Sequence, residues 1–167
     1  HCPQSNTNLS SGIAPVRRYL EEGLHIGLGT DIAGGHSLSM LRAIADAIQV
    51  SKLRWRLVDD SQKPLSLEEA FYMATMGGGA FFGKVGTFAE GYEFDALILD
   101  DSKLRYPQPL TARERLERLI YLSVASPENI FPETKSFSAY ICTTRRGYLY
   151  ESRQNFPPER KSHRCQN

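Results

Sequence analysis

The stretch LHIGLGTD occupies residues 24–31 and alternates large apolar side chains with glycine before it ends at a carboxylate. This pattern is typical of a buried strand that runs into a loop. Asp31 is therefore expected at the carboxyl end of a parallel strand. Barrel enzymes place catalytic groups there, because the loops above that face can vary while the barrel beneath holds them in position.

The segments around this strand are predicted to be helical. Residues 11–22 show a short amphipathic pattern that stops at Gly23, and apolar residues recur at helical spacing from Leu38 to Ile48. The second pattern predicts a long helix that reaches about Leu57. Its inner face is expected to carry Leu38, Leu41, Ala45 and Ile48.

Two capping boxes predict the starts of further helices, SLEE at residues 66–69 and TARE at residues 111–114. The glycines at 77–79 interrupt the first of these helices and indicate a bend or a close backbone approach. Residues 85–91 and 94–100 resemble a short strand, a glycine turn and a β-strand. The order strand, helix, helix, strand, helix indicates an α/β fold.

Overall composition is that of an ordinary globular chain. The chain has 167 residues, 41% hydrophobic and 23% charged, with a net charge of +1. This balance favours neither nucleic acid nor an anionic membrane as a partner. No apolar run of about 18 residues and no signal peptide is present in the sequence, so a cytoplasmic location is expected.

Cysteine usage and the first residues complete this picture. Cys2, Cys142 and Cys165 are odd in number and form no C-x-x-C pair, which favours reduced thiols over a disulfide framework. The stretch HCPQSN at residues 1–6 reads as the interior of a longer polypeptide, so the chain is expected to be a fragment.

Asp31 is the strongest candidate for chemistry. A carboxylate can ligate Zn²⁺ through one oxygen while the other accepts a proton from water. An alternative is equally compatible with the spacing: Asp31 could be the N-cap of the following helix, because aspartate is a favoured cap residue.

Three histidines lie within reach of this region. His36 is expected in the loop above Asp31, as a substrate contact or as a solvated loop residue. His25 is expected on a barrel wall, and His1 at the end of a neighbouring strand. None has the H-x-H or H-E-x-x-H spacing of a metal site, so metal binding by this chain alone is not expected.

Serines near this region have no His/Asp arrangement that would make a hydrolytic triad. They are interpreted as turn and cap residues: Ser5, Ser10, Ser11, Ser37 and Ser39.

Several motifs, taken together and in order, resemble the guanine deaminases of the amidohydrolase superfamily. They are HCPQSN at 1–6, LSSG at 9–12, GLGTDIAGG at 27–35 and SLSML at 37–41, and the similarity continues to about Leu122. The resemblance implies the last strands and helices of a metal-dependent (β/α)₈ TIM-like barrel over residues 1–84. It also implies a return into a small β-domain over 85–122. Residues 123–167 depart from the family and are expected to be a poorly ordered tail.

The resemblance also implies a chemistry. Asp31 matches the strand-eight aspartate of the family, which would ligate zinc, contact the substrate and take a proton from the water that attacks guanine. The products would be xanthine and ammonia. The other zinc ligands and a catalytic glutamate would lie upstream, so the isolated chain is expected to be inactive. A purine is the expected small-molecule partner, and the resemblance makes a homodimer plausible.

Two other functions stay open at this point. The chain could belong to another amidohydrolase that acts on a different heterocycle, such as a triazine or an adenosine-like substrate. It could also be a non-catalytic scaffold derived from a barrel.

Overall fold

The computed structural model describes residues 1–97, 99, 101, 104 and 106–122 of the chain. These residues form five α-helices: α1 (Pro3–Asn8), α2 (Val16–Glu21), α3 (Met40–Leu57), α4 (Leu67–Tyr72) and α5 (Ala112–Leu122). Helix α4 continues into a π-helical turn, Met73–Gly77, and a 3₁₀ turn follows at Ala80–Phe82. The predicted tail, residues 123–167, lies outside the described residues.

Helix α3 is the centre of the core, and α1, α4 and α5 all pack against it. Ala45 and Ile48 are buried as predicted, and Leu41 packs at the edge of the core. Leu38 is 72% exposed, so its predicted inward position is wrong. The helix begins two residues later, because the Ser39 side chain accepts a hydrogen bond from the Arg42 N–H at 3.3 Å and caps it. The buried core comprises Val16, Ile44, Ala45, Ala47, Ile48, Leu65, Leu67, Ala70, Met73 and Ile120.

Both predicted capping boxes are confirmed. The Glu69 N–H donates to the Ser66 hydroxyl at 3.2 Å, and the Ser66 N–H donates to the Glu69 carboxylate at 2.8 Å. Thr111 and Glu114 make the same reciprocal pair at 3.3 and 2.8 Å. Each box satisfies backbone donors that a helix leaves without intrahelical partners.

The predicted strands at 24–30 and 94–100 are not regular strands in the described part of the chain, which contains one isolated parallel bridge, between Ile32 and Gly35. A strand needs a partner to complete its ladder of hydrogen bonds, whereas a helix completes its own. Residues 98 and 100 of the second predicted strand lie outside the described residues.

Within the described residues, none of the helices has both the length and the apolarity needed to cross a bilayer.

Arg17 joins α2 to the start of α4. Its two terminal nitrogens donate to the two carboxylate oxygens of Glu69 at 2.6 and 2.7 Å. Its Nε and Nη2 also donate to the carbonyls of Lys63 and Pro64, both at 3.0 Å. The hydrogen bonds between Arg17 and Glu69 lower the pKa of Glu69 and raise the pKa of Arg17. One carboxylate therefore caps α4 and anchors α2 at the same time.

Replacing Arg17 by alanine is expected to reduce the free energy of unfolding by about 2 kcal/mol, because it leaves a half-buried carboxylate and two carbonyls without their donor. The matched control is Arg18→Ala. Arg18 pairs with Glu22, but its side chain is 65% exposed against 17% for Arg17. Its loss should cost much less than the loss of Arg17, because an exposed ion pair contributes little to stability. Urea unfolding of both variants measures the difference, and equal losses would contradict this role for Arg17.

Asp101, in the segment before α5, forms an ion pair with Arg115 of that helix. Arg115 donates to both of its carboxylate oxygens, at 2.6 and 2.5 Å, and the Tyr106 hydroxyl donates at 2.5 Å. The Arg118 guanidinium lies 5.1 Å from the centre of the Tyr106 ring. The Arg115 guanidinium, and after it the Tyr106 hydroxyl, lower the pKa of Asp101 to about 2.

This lowered pKa predicts the pH dependence of stability. The contribution of Asp101 is complete above its unfolded pKa of about 3.9 and disappears as the pH falls through the folded value of about 2. The stability difference between the wild type and Asp101→Asn should therefore be constant above about pH 5 and should shrink toward pH 2. Urea unfolding across this range measures it, with the exposed Asp95→Asn as control. A difference that grows on acidification would contradict the ion pair.

Candidate active site

The segment 24–30 is extended, and backbone hydrogen bonds hold it at both edges. At one edge, the His1 amino nitrogen donates to the Gly27 carbonyl at 2.7 Å, and the Gly29 N–H donates to the His1 carbonyl at 3.0 Å. This is the pattern of a parallel pair with His1 opposite Leu28. At the other edge, the Leu28 N–H donates to the Met73 carbonyl at 2.9 Å. The end of this segment is therefore fixed between α1 and the π-helical turn.

His1 lies where the sequence predicted it, beside the segment 24–30. Its two ring nitrogens are buried and have no hydrogen-bond partner within the described residues. His25, which was expected on a barrel wall, is exposed in the described part of the chain.

Glycine allows this segment to lie directly on the π-helical turn. A Cβ at Gly27 would come within 2.8 Å of the Gly78 Cα, and a Cβ at Gly77 would come within 2.8 Å of the Ile26 carbonyl oxygen. The close backbone approach predicted from the glycines at 77–79 is confirmed.

Asp31 lies at the end of this segment and is an exposed residue. Its φ is 49°, in the left-handed region, and Ala33 follows at φ 78°. The Gly35 N–H donates to the Asp31 carbonyl at 2.5 Å and closes the turn. A left-handed conformation costs a non-glycine residue about 1–2 kcal/mol, so the surrounding structure has to maintain this turn. The alternative that Asp31 caps the next helix is wrong, because Ser39 caps α3.

Helix α1 presents three polar side chains to this turn. The Ser5 hydroxyl donates to the Oδ2 atom of Asp31 at 2.5 Å. The Asn8 amide donates to the Gly34 carbonyl at 2.9 Å, and the Gln4 amide oxygen accepts from the Ser37 N–H at 3.1 Å. The loop from Asp31 to Ser37 is thus held at three points.

The sequence reasoning missed α1 and interpreted Ser5 as a turn or cap residue, which is wrong. Proline in the first turn of α1 was the available signal, because proline favours the start of a helix. Once a helix is assumed, positions 4, 5 and 8 fall on adjacent parts of one face.

His36, the predicted substrate contact, lies exposed in the same loop as Asp31. Within residues 1–97, 99, 101, 104 and 106–122, no group of three or more His, Cys, Asp and Glu side chains is arranged to hold a metal ion. Asp31 is therefore not part of such a group in the described part of the chain.

Comparison with known proteins identifies the family. The model described as "Amidohydrolase family" matches residues 1–138. The chain belongs to the amidohydrolase family. A guanine deaminase of Mus musculus is 46% identical over 104 residues, which cover 60% of this chain and 22% of that protein.

Solved structures agree with this assignment. A guanine deaminase from C. acetobutylicum with guanine bound in its active site is 49% identical, with a TM-score of 0.73, and the match covers 84% of this chain and 32% of that one. An adenosine deaminase from Xanthomonas campestris with bound zinc is 27% identical, with a TM-score of 0.59, over 72% of this chain and 27% of that one. The amidohydrolase chain described here thus spans between about a fifth and a third of these relatives. Their fold is α/β and of the TIM-barrel kind, although the described residues of this chain are mostly helical.

Replacing Gly27 by alanine is expected to reduce the free energy of unfolding by about 2 kcal/mol, because the new Cβ meets backbone that cannot move aside. Gly29→Ala is the matched control in the same segment. Its Cβ would lie 3.0 Å from the Cys2 Sγ, the end of a side chain that can rotate. It should cost less than about 1 kcal/mol. Thermal or urea unfolding measures the two free energies of unfolding. Similar losses in Gly27→Ala and Gly29→Ala would contradict the close backbone contact at Gly27.

Proposed function

We propose that the protein is part of a guanine deaminase, which converts guanine and water into xanthine and ammonia. The observation that carries the proposal is the Asp31 carboxylate. It is exposed at the end of an extended segment, within a chain that is 49% identical to a solved guanine deaminase with guanine bound.

The proposed domain organisation follows the same relationship. Residues 1–84 would form the last strands and helices of the barrel, residues 85–122 the return to a small β-domain, and residues 123–167 a divergent tail. Large exposed apolar side chains support this organisation, because a complete barrel and its second domain would cover them. They include Ile32 at 72%, Phe81 at 88%, Phe88 at 74% and Phe94 at 63% exposure.

Zinc is the proposed cofactor, and the donor chemistry of Asp31 fits it. A carboxylate oxygen is an ordinary Zn²⁺ ligand, and this carboxylate is accessible while its Oδ2 is already held by Ser5. When bound, zinc lowers the pKa of water toward about 7, which makes hydroxide available at neutral pH. The remaining ligands would lie upstream of this chain, as in the family that it resembles.

Two residues of this chain would take part in the reaction. Asp31 would hold the metal through one oxygen and accept the proton that the attacking water releases, so that the amino group can leave as ammonia. His36 would contact the purine from the loop above. The predicted homodimer and the cytoplasmic location stay predictions.

A deaminase for a different purine is the second candidate. The zinc-containing adenosine deaminase of Xanthomonas campestris supports it, because its structure matches most of this chain. The higher identity to the guanine deaminase, 49% against 27%, favours guanine. Assaying guanine and adenosine side by side separates the two.

Replacing Asp31 by asparagine in the complete natural polypeptide that contains residues 1–167 is expected to lower kcat for guanine by about 10²- to 10⁴-fold, because the amide can neither accept the proton nor ligate zinc as an anion. Formation of xanthine, followed by ultraviolet absorbance, and zinc content are measured. The exposed Asp60→Asn is the matched control and should leave both unchanged. Full activity and full zinc content in Asp31→Asn would overturn the proposal.

A further inference from the structure

We infer that Ser5 is a positioning residue of the active site, which orients the Asp31 carboxylate through the hydrogen bond from its hydroxyl to Oδ2. The inference rests on the proposed function, since Asp31 acts there as ligand and proton acceptor. It adds a residue of α1 to the site, and it assigns different tasks to the two carboxylate oxygens: Oδ2 is held by Ser5 and keeps a second lone pair that can accept the proton, and Oδ1 is left for the metal.

The first support is the burial of the donor. Ser5 is 5% exposed and lies in the first part of α1, whereas the Asp31 side chain that it contacts is exposed. The 2.5 Å bond therefore joins a fixed group to one that would otherwise rotate in solvent. A carboxylate that can rotate presents either oxygen, and the buried hydroxyl removes this freedom.

The second support is the space that the turn reserves for this bond. A Cβ placed on Gly34 would lie 2.7 Å from the Oδ2 atom of Asp31 and 2.9 Å from the Oγ atom of Ser5. Gly34 therefore lies directly against the hydrogen bond, and any larger residue would push the two side chains apart.

The third support comes from the neighbours of Ser5 on α1. Gln4 and Asn8 bind backbone groups of Ser37 and Gly34, so the left-handed turn at Asp31 and Ala33 is held from the same helix. The three contacts together make α1 a support for the loop, and Ser5 is the member that reaches the carboxylate itself.

The test compares Ser5→Ala with Ser5→Cys in the complete natural polypeptide, with zinc supplied. Cysteine is close to serine in shape but is a weak donor, and its thiolate can itself ligate zinc, so zinc affinity is measured for Ser5→Ala alone. Ser5→Ala is expected to bind zinc about 10- to 100-fold more weakly, by competition with a chromogenic chelator, and both variants are expected to lose about 10- to 100-fold in kcat. KM for guanine should change by less than about 3-fold, because Ser5 does not touch the substrate. Ser11→Ala, an exposed serine, is the matched control.

A third variant, Gly34→Ala, tests the same bond without changing either partner. It should reproduce the loss seen with Ser5→Ala, and the double variant should be no worse than the worse single one, because both remove one interaction. If Ser5→Ala fails to fold, the zinc affinity and kcat of Gly34→Ala test whether the hydrogen bond between Ser5 and Asp31 matters.

The outcomes separate the two proposals. Wild-type zinc affinity and kcat in Ser5→Ala, or wild-type kcat in Ser5→Cys, would overturn the role of Ser5 while the deaminase stands. A wild type that binds zinc but does not deaminate guanine would overturn the proposed function, and the zinc affinities would still decide whether Ser5 positions Asp31.

Discussion

The position of Asp31 depends on the backbone hydrogen bonds at the two edges of the segment 24–30. His1 holds one edge and Met73 the other, and the absence of a Cβ at Gly27 lets the segment lie on the π-helical turn. Backbone donors and acceptors are fixed relative to the chain, so pairing on both sides leaves the segment little freedom to move. The Asp31 carboxylate follows directly after this segment, so its position varies less than that of a side chain on a free loop.

The helices have a different origin of stability from the extended segment 24–30. α3 buries one face against three other helices, and capping boxes complete the starts of α4 and α5. Charged groups then connect elements that are distant in sequence, as Arg17 does when its donors meet both Glu69 and the carbonyls before α4. The described residues are mostly helical because a helix satisfies most of its own backbone hydrogen bonds, whereas an extended segment needs neighbouring strands for them.

The turn after Asp31 combines strain with support. Asp31 and Ala33 both adopt left-handed backbone conformations, although neither is a glycine. Side chains of α1 hold the same turn at its carboxylate and at its backbone. Strain of this kind is common at functional sites, where surrounding contacts maintain a conformation that the local sequence would not choose. The GG pair at 34–35 provides the space for these contacts.

The sequence by itself determined the features that depend on neighbouring residues: the long helix α3, both capping boxes, the close approach at the glycines, and the family to which GLGTDIAGG belongs. It predicted Asp31 as the candidate group from one short pattern. The tertiary structure decided which side chains surround that group. Ser5 lies 26 residues from Asp31 in the chain, and it meets the carboxylate because His1 pairs with the segment 24–30 and carries α1 alongside it. A hydrogen bond between residues that are distant in the chain leaves no periodic pattern in the sequence. It can therefore be identified only from the tertiary structure.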